Sequence, residues 1–397
     1  MDVIAWELLA GIGRFFAHPL TYFIPAAMLM LGFFRVKKER ATFHTSVFHA
    51  VFDLTAPLLP GLGAGLLLSV LLAATGLYIS FSFLLLTGTV TLLFLLSGRV
   101  RWLGPSHILG LSFILVYFLP NIVTGYPLID EWFSSLGTGD HRPVLFILAV
   151  FIIAEGLLIW KNGSQYTTPI VRKSSRGKKI GGHQLKRIWF VPVCLLIPGG
   201  PIEPAGFWPL FPLAETGMSL FIVPFAIGAK YSIFHTLPAQ AVKKVGGRVV
   251  LLGIFATASA VSALYSPAAG LISAAAILLV REAITLNFRV QERNRPPLFT
   301  PRARGLTVLC VLPDSPGSKM GLAPGEIIMK VNASNVNNEK DFYQALQKNS
   351  AYCKIEVADI NAELRHVQSA VYSNQHHELG VLFVKDQTPL TTSSRQA

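Results

Sequence analysis

Residues whose type and spacing could support catalysis are sparse in this sequence. His376, His377 and Glu378 form no HExxH zinc motif, and the GLGAG stretch at 61–65 has glycine where a GxSxG motif has its serine nucleophile. The sequence also lacks a GNSGG-like serine-protease loop and a phosphate-binding GxxxxGK loop followed by Ser or Thr. We therefore expect no enzymatic activity, no catalytic residues and no cofactor.

The cysteines give no sign of a metal or redox site. They lie far apart in the chain and form no CxxC pair: Cys194, Cys310 and Cys353. This spacing is typical of reduced thiols rather than of a disulfide framework or a zinc site. We expect no metal-binding residues.

Glu155 is the carboxylate that most needs an explanation, because it lies within the apolar stretch FIIAEGLLIW. An ionisable residue inside a membrane segment is a candidate for function. Basic residues follow it closely in sequence, however, so its side chain could extend toward the membrane interface. We expect Glu155 to be an interfacial carboxylate.

The composition indicates that the elements carrying these residues lie mostly in a membrane. Hydrophobic residues make up 52% of the 397 residues, charged residues make up 14%, and the mean hydropathy is +0.52. Soluble domains carry about 25% charged residues. The net charge of +13 lies largely in loops between apolar segments, which is typical of a topology signal. We therefore expect membrane lipid, and no nucleic acid, as a partner.

Apolar segments of about 18 residues or more predict an α-helical polytopic membrane domain at 1–281. We expect about eight spans, with a range of six to nine. Nine segments are candidates, and the first of them decides between eight spans and nine: 15–34, 56–78, 81–97, 107–126, 143–160, two in 188–229, 249–265 and 267–280. The proline-rich region 188–229 is expected to be a helical hairpin. The small residues of 256–277 allow close packing within the fold or in a homo-oligomer.

The distribution of lysine and arginine predicts the orientation of the chain. The segment 161–187 holds eight basic residues and no acidic residue, and 230–248 is also basic. Acidic residues outnumber basic ones in 127–142. Because loops rich in Lys and Arg stay in the cytoplasm, we expect 161–187, 230–248 and the C-terminus to be cytoplasmic and 127–142 to be external.

Beyond residue 281 the composition becomes that of a soluble domain. We expect a basic juxtamembrane linker at 282–301, a small α+β domain at 302–386 and a flexible tail at 387–397. Strands rich in Val, Leu and Ile are predicted at 305–312 and 327–332, and later in the stretches CKIEVAD and ELGVLFV.

A short helix between two turns is predicted in PDSPGSKMGLAPGE, and a longer helix is predicted at 339–348. Asn338 is a suitable N-cap, with Asp341 at the third helical position. Phe342, Ala345 and Leu346 follow the i, i+3, i+4 spacing of a buried helical face. We expect these three side chains to face the core of the domain.

The motifs of 305–332 resemble those of a bacterial PDZ domain. The stretch GLTVLCVLPDSPGSKMGLAPGEIIMKVN has SP, GL, PGE and VN in the order and spacing of that family. Glu326 stands where the family usually has Asp, so the carboxylate is retained. The resemblance implies that a peptide adds as a strand to the open edge of 305–312 and lies against the helix at 339–348.

The same resemblance implies which residues bind the peptide. The backbone amides of Gly305, Leu306 and Thr307 would face its terminal carboxylate, and Val308 would continue the binding strand. Glycine at 305 avoids a side chain that obstructs close approach. Arg304 would add charge attraction. The expected ligands are peptides or the C-terminal tails of proteins.

The arrangement as a whole resembles the MinJ family of division-site topology proteins, which have many spans, basic cytoplasmic loops and a C-terminal PDZ-like domain. The resemblance implies a non-enzymatic adaptor that links DivIVA to MinD at division septa and cell poles. Two other functions stay open. One is a transporter or channel with a PDZ-like regulatory domain, and the other is a regulator that presents substrates to a membrane protease.

Overall fold

The computed structural model describes residues 2–174, 177–204, 208–209, 217–348, 352–359, 361–370 and 379–384. An N-terminal region combines helices with a three-stranded sheet, and a strand-rich C-terminal region follows it. The N-terminal region is called the membrane region below, because it contains the helices long and apolar enough to cross a membrane. Each region has its own hydrophobic core. The predicted end of the C-terminal domain at 386 and the tail 387–397 lie outside the described residues.

The helices of the N-terminal region are mostly long and apolar. They are α1 (Asp2–Ala17), α2 (Leu20–Phe43), α3 (Phe52–Thr75), α4 (Phe81–Leu96), α5 (Pro105–Leu115), α6 (Pro127–Gly137), α7 (Arg142–Asn162), α8 (Pro238–Ala260) and α9 (Pro267–Asn294). Short 3₁₀ helices cover Val100–Leu103, Leu119–Asn121 and Val261–Leu264. Because α9 continues to Asn294, most of the segment 282–301, expected as a linker, is helical.

Five described helices are long and apolar enough to cross a membrane: α2, α3, α7, α9, and α8 with its 3₁₀ extension. Helix α4 and the segment Pro105–Asn121 are apolar but shorter. These helices lie where spans were predicted, except that the predicted span 15–34 is interrupted between α1 and α2. Two of the predicted spans are absent as helices in the described part of 188–229, because strands cover 188–202 and 218–229.

Three strands form an antiparallel sheet in the order β1 (Thr168–Lys173), β2 (Lys179–Ile202) and β3 (Met218–Ile233). The prediction of a helical hairpin here was wrong. Apolar runs alone do not separate a buried helix from a buried strand, and Val, Ile, Phe and Trp favour strands. Pro192 and Pro224, which would each interrupt a helix, lie opposite each other on β2 and β3.

Helix α3 packs closely along β2 through two glycines spaced one turn apart. A Cβ atom at Gly61 would overlap the carbonyl oxygen of Phe190, and one at Gly65 would overlap that of Pro192. The GLGAG stretch therefore serves packing, because only glycine lets the helix backbone reach these carbonyls.

Ser69 extends this contact by one further turn of α3. Its hydroxyl oxygen accepts a hydrogen bond from the Cys194 backbone N–H at 2.8 Å and donates to the Gly65 carbonyl at 2.7 Å. An unpaired backbone N–H is costly in an apolar environment. Helix α3 thus covers the edge of β2 and satisfies a backbone group that no neighbouring strand reaches.

Glu155 on α7 and Arg281 on α9 form a buried ion pair. Arg281 Nη2 donates to Glu155 Oε1 at 2.5 Å, and the two side chains are 3% and 0% exposed. Arg281 Nη1 also donates to Thr285 Oγ1 at 2.8 Å. The expectation of an interfacial Glu155 was wrong, because α9 passes beside it and supplies a partner charge. A pair of this kind fixes the arrangement of two helices more than it adds stability.

The C-terminal region is a six-stranded sheet with two helices. Its elements are β4 (Leu306–Val311), α10 (Pro316–Lys319), β5 (Ile327–Val331), β6 (Ser334–Asn335), α11 (Glu339–Gln347), β7 (Tyr352–Ala358), β8 (Leu364–Ala370) and β9 (Val381–Phe383). The strand order is β8–β7–β5–β4–β9, and β6 pairs with β5. The four predicted strands are confirmed as β4, β5, β7 and β9.

Helix α11 follows its prediction closely. Asn338 Oδ1 accepts a hydrogen bond from the backbone N–H of Asp341 at 2.8 Å, so the predicted N-cap is confirmed. Phe342, Ala345 and Leu346 are the buried residues of the helix, as predicted from their spacing. They pack in the same core as the strands of the sheet.

Candidate functional site

The residues predicted to bind a peptide lie at the start of β4, which is an interior strand. The Val308 N–H donates to the Glu326 carbonyl beside β5 at 2.8 Å. On its other side β4 pairs with β9, where Val308 lies opposite Phe383 and the Leu312 N–H donates to the Gly380 carbonyl at 2.7 Å. The expectation of an open edge at 305–312 is corrected: β9 occupies that edge.

Gly305 is required for packing inside the sheet. Its φ of +78° lies in the left-handed region, and a Cβ atom there would be 2.5 Å from Ile327 Cγ2 and 2.9 Å from Met329 Sδ. Its N–H donates to Asn337 Oδ1 at 3.3 Å. This amide is therefore already bonded within the domain, and the need for glycine comes from β5 rather than from an approaching ligand.

Strand β9 is one terminal strand of the described sheet, and β8 is the other. Because the Gly380 carbonyl faces β4, strand alternation turns the main-chain groups of Val381 and Phe383 away from β4. Helix α11 lies beside this edge, and the rings of Phe342 and Phe383 meet edge-on with centroids 5.0 Å apart. The sequence predicted ELGVLFV as a strand but carried no signal for its place at the edge.

A cavity of about 470 Å³ lies at the end of β9, between the beginnings of β4 and α11. Gly305, Leu306 and Thr307 line it, as do Lys340 and Phe383. Arg304 and Val308 do not line it: Arg304 is exposed on the preceding turn, and Val308 is buried in the core. The structure thus brings three of the five predicted residues to the candidate site.

The C-terminal region docks on the beginning of β2 through His183. The ring Nδ1 of His183 accepts from Thr167 Oγ1 at 3.0 Å, which leaves Nε2–H to donate to the Leu309 carbonyl at 2.8 Å. Burial lowers the pKa of His183 to about 4, so the ring is neutral at pH 7. The Gly181 N–H also donates to the Phe299 carbonyl, at 2.8 Å. The candidate site is therefore held in a fixed position against the membrane region.

Glu326, the family's acidic position, has a structural role. Its Oε2 accepts from the Ala323 N–H at 2.9 Å, and its Oε1 accepts from Arg365 Nε at 3.0 Å. The carboxylate closes the turn before β5 and ties it to β8. The longer Glu side chain performs this task and does not line the cavity.

The thiols and metal-ligand residues give no second site. Cys310 and Cys353 are buried, and burial raises the pKa of the first to about 12 and of the second to about 11. Within the described ranges, no group of three or more His, Cys, Asp or Glu residues is placed to hold a metal ion. The stretch His376–Glu378 lies outside those ranges.

No protein-family model matches the chain. Curated proteins resemble it over most of their length. The cell division topological determinant MinJ of Bacillus subtilis (strain 168) is 35% identical over 382 residues, which cover 96% of this chain and 96% of the relative. The probable cell division topological determinant MinJ of Lacticaseibacillus paracasei is 24% identical over 341 residues, covering 83% of this chain and 85% of the relative.

The first of these similarities extends through both regions of the structure, from the membrane helices to the six-stranded sheet. A similarity of that length and identity goes well beyond a shared domain. The chain belongs to the MinJ family of cell division topological determinants.

Proposed function

We propose that the chain is a non-enzymatic membrane adaptor that binds extended segments of division proteins between β9 and α11. The observation that carries this proposal is the position of β9 at the end of the sheet, with the main-chain groups of Val381 and Phe383 facing away from β4. An extended peptide can continue such a sheet by one strand, and a helix beside the edge supplies pockets for its side chains.

The cavity beside Lys340 would receive the side chains at one end of that peptide. Gly305, Leu306 and Thr307 would then contact the ligand as part of the cavity wall. Arg304 would act at longer range, through its charge. This assignment keeps the PDZ-like mode of binding and moves the paired edge from β4 to β9.

The proposed partners follow from the family. We propose that the adaptor links DivIVA to MinD at division septa and cell poles, and so contributes to division-site placement. The relatives' names as cell division topological determinants support such a role. Strands β8 and β9 are the two terminal strands of the described C-terminal sheet, and the contact of β9 with α11 favours β9 as the docking edge.

The proposal also requires the C-terminal region to face the cytoplasm. The basic segments 161–187 and 230–248 would lie on the same side, and 127–142 would lie outside. Single cysteines at Ser174 and Thr138, in a chain lacking the three native cysteines, test this orientation with a reagent that does not cross membranes. Labelling at Thr138 alone in intact cells is expected, and labelling at Ser174 would contradict it.

Blocking the cavity tests the binding site. In the full chain, Lys340→Trp places a large side chain at an exposed position that lines the cavity, and Gln344→Trp places the same side chain one turn further along α11. We expect Lys340→Trp to reduce co-purification of DivIVA and MinD at least tenfold, with Gln344→Trp near wild type. Equal recovery with both variants would contradict the site.

Localisation of fluorescent fusions tests the function independently of the site. Enrichment of the wild type at septa and poles is the expected result. A uniform membrane signal, with no recovery of division proteins, would favour a transporter or channel instead.

A further inference from the structure

Three lysines from different elements converge at one end of the membrane region. Lys186 on β2 and Lys230 on β3 are direct partners in the strand register, and Lys38 on α2 is close enough to interact electrostatically with both. Like charges placed opposite each other on neighbouring strands destabilise a sheet. The arrangement therefore calls for a compensating negative charge.

The carboxylates nearby are committed to another partner. Arg35 Nε donates to Asp53 Oδ2 at 2.7 Å, and Arg35 Nη1 donates to Glu39 Oε1 at 3.1 Å. Asp53 attracts Lys186 electrostatically, whereas Lys230 and Lys38 repel it. Within the part of the chain that the structure describes, none of the three lysines forms an ion pair.

The lysines border a cavity of about 200 Å³ that is lined by both polar and apolar residues. Its apolar lining residues include Leu31 and Phe34 of α2, a helix long and apolar enough to cross a membrane. The Phe34 side chain is 62% exposed on the outer face of that helix. A ligand in this cavity would have its negative charge at the lysines and its apolar part along α2.

We propose that Lys38, Lys186 and Lys230 bind the phosphate of an anionic phospholipid whose acyl chains run along α2. Inorganic phosphate would offer the same charge to the lysines but would leave the apolar wall uncovered. Basic pockets between the elements of a membrane protein are suited to anionic headgroups. The site lies apart from the β9 edge and does not depend on the proposed peptide groove.

Lipid titration of the full-length purified chain tests the site. Binding of phosphatidylglycerol is measured by native mass spectrometry for the wild type and for the double variant Lys186→Gln, Lys230→Gln. Each lysine near a headgroup contributes about 1 kcal/mol, so removing two should weaken binding about thirtyfold. The variant Lys186→Arg, Lys230→Arg keeps both charges and should bind within about threefold of the wild type.

The matched control is Lys243→Gln, Lys244→Gln, which removes two exposed charges of α8 that do not line the cavity. Its affinity for phosphatidylglycerol should stay near that of the wild type. Equal affinities of the wild type and the Lys186→Gln, Lys230→Gln variant would overturn the proposal. So would equal wild-type affinities for phosphatidylglycerol and phosphatidylcholine, a result that needs no variant to fold.

A competition experiment separates the two sources of phosphate. Inorganic phosphate at the concentration of the lipid should leave phosphatidylglycerol bound, because it makes no contact with Leu31 and Phe34. Displacement of the lipid by inorganic phosphate at that concentration would overturn the lipid assignment.

Discussion

Strand β2 of the membrane region and strand β9 of the C-terminal region both lie beside a helix, but the helix does something different in each case. Helix α3 approaches the edge of β2 at main-chain distance and supplies the Ser69 hydroxyl to a backbone N–H. Helix α11 meets β9 through the rings of Phe342 and Phe383, and the outer main-chain groups of β9 stay unpaired by any described strand.

The difference follows from the surroundings of each strand. An unpaired strand edge is too costly among apolar helices, so β2 is covered there. Outside the candidate spans an open edge is tolerated, and it offers a template for pairing with another chain. The glycines of α3 let that helix come close enough to cover the edge of β2. The rings of Phe342 and Phe383 instead keep α11 at a distance from the edge of β9 and leave a groove between them.

The largest expected effect comes from Gly65→Ala, which would separate α3 from β2. The new Cβ atom would overlap the Pro192 carbonyl oxygen, and main-chain atoms cannot rotate out of the way as a side chain can. We expect a loss of about 4 kcal/mol or more in the free energy of unfolding. The thermal midpoint of the detergent-solubilised protein measures it.

The control for this prediction is Gly63→Ala in the same GLGAG stretch. A Cβ atom at Gly63 has no neighbouring atom within 4 Å, and alanine favours a helix over glycine by up to about 1 kcal/mol. Its thermal midpoint should be unchanged or slightly higher. Similar losses in both variants would mean that the covered edge of β2 does not account for the effect.

The next largest effect is expected from Gly305→Ala, confined to the C-terminal region. The clash with Ile327 and the positive φ should together cost about 3 kcal/mol. Gly321→Ala has a φ of +71° but no neighbouring atom within 4 Å, so strain alone should cost about 1 kcal/mol. Limited proteolysis should cut the C-terminal region of the first variant sooner, with the membrane region intact. Cleavage at equal rates would contradict this reading of Gly305.

A smaller effect is expected from pH, at the contact between the two regions. Because the folded-state pKa of His183 is about 4 and its ordinary value is about 6.5, the folded state binds the proton less well than the unfolded state. Stability should fall as the pH drops below 6.5 and stop falling near 4, with a loss of about 2 kcal/mol at pH 5. The ring faces Thr167, Phe299 and the Leu309 carbonyl, none of which is charged.

His183→Gln keeps a side-chain donor and removes the titration. Hydrogen exchange at the backbone of Leu309 and Gly181 should accelerate between pH 7 and pH 5 in the wild type, after correction for intrinsic rates. The variant should show no such acceleration. The same pH dependence in both proteins would assign the effect to other groups.

The smallest expected effect is that of Ser69→Ala. The variant leaves the Cys194 N–H without its acceptor and should cost about 1 kcal/mol. Ser134→Ala removes an exposed hydroxyl that bonds only the Glu131 carbonyl of its own helix, and should cost less than half as much. Thermal midpoints compare the two, and equal values would show that the Ser69 bond adds nothing to the covered edge.

The C-terminal elements were predictable because their signals are local. Asn338 and the spacing of Phe342, Ala345 and Leu346 specify α11 within a dozen residues, and the motifs of 305–332 specify β4, α10 and β5. The neighbour of β4 was not predictable in this way. The pairing of β9 with β4 is a contact between segments about 70 residues apart in the sequence. The composition of a strand does not indicate which strand lies beside it in the sheet.

The membrane region shows the complementary failure. Residues 188–229 are apolar enough to lie in a bilayer. Hydropathy reports the length and polarity of a segment, but it does not distinguish a helix from a strand. Pro192 and Pro224 were the available signals against helices, since each falls inside an expected span. Likewise the ion pair of Glu155 could not be predicted from the sequence, because its partner Arg281 follows it by 126 residues.

The length of the contact between α3 and β2 is limited by the different rise per residue of a helix and a strand. Four residues of helix advance about 6.0 Å and two residues of strand about 6.6 Å, so the steps drift by about 0.6 Å per repeat. Gly61, Gly65 and Ser69 lie in the short stretch where the four-residue repeat of the helix matches the two-residue repeat of the strand. Beyond it the strand turns to another partner, and the Leu196 carbonyl accepts from the Ile79 N–H at 2.9 Å. The length over which α3 contacts β2 is therefore set by how long the helix and strand repeats stay in register. Further glycines in α3 would not lengthen it.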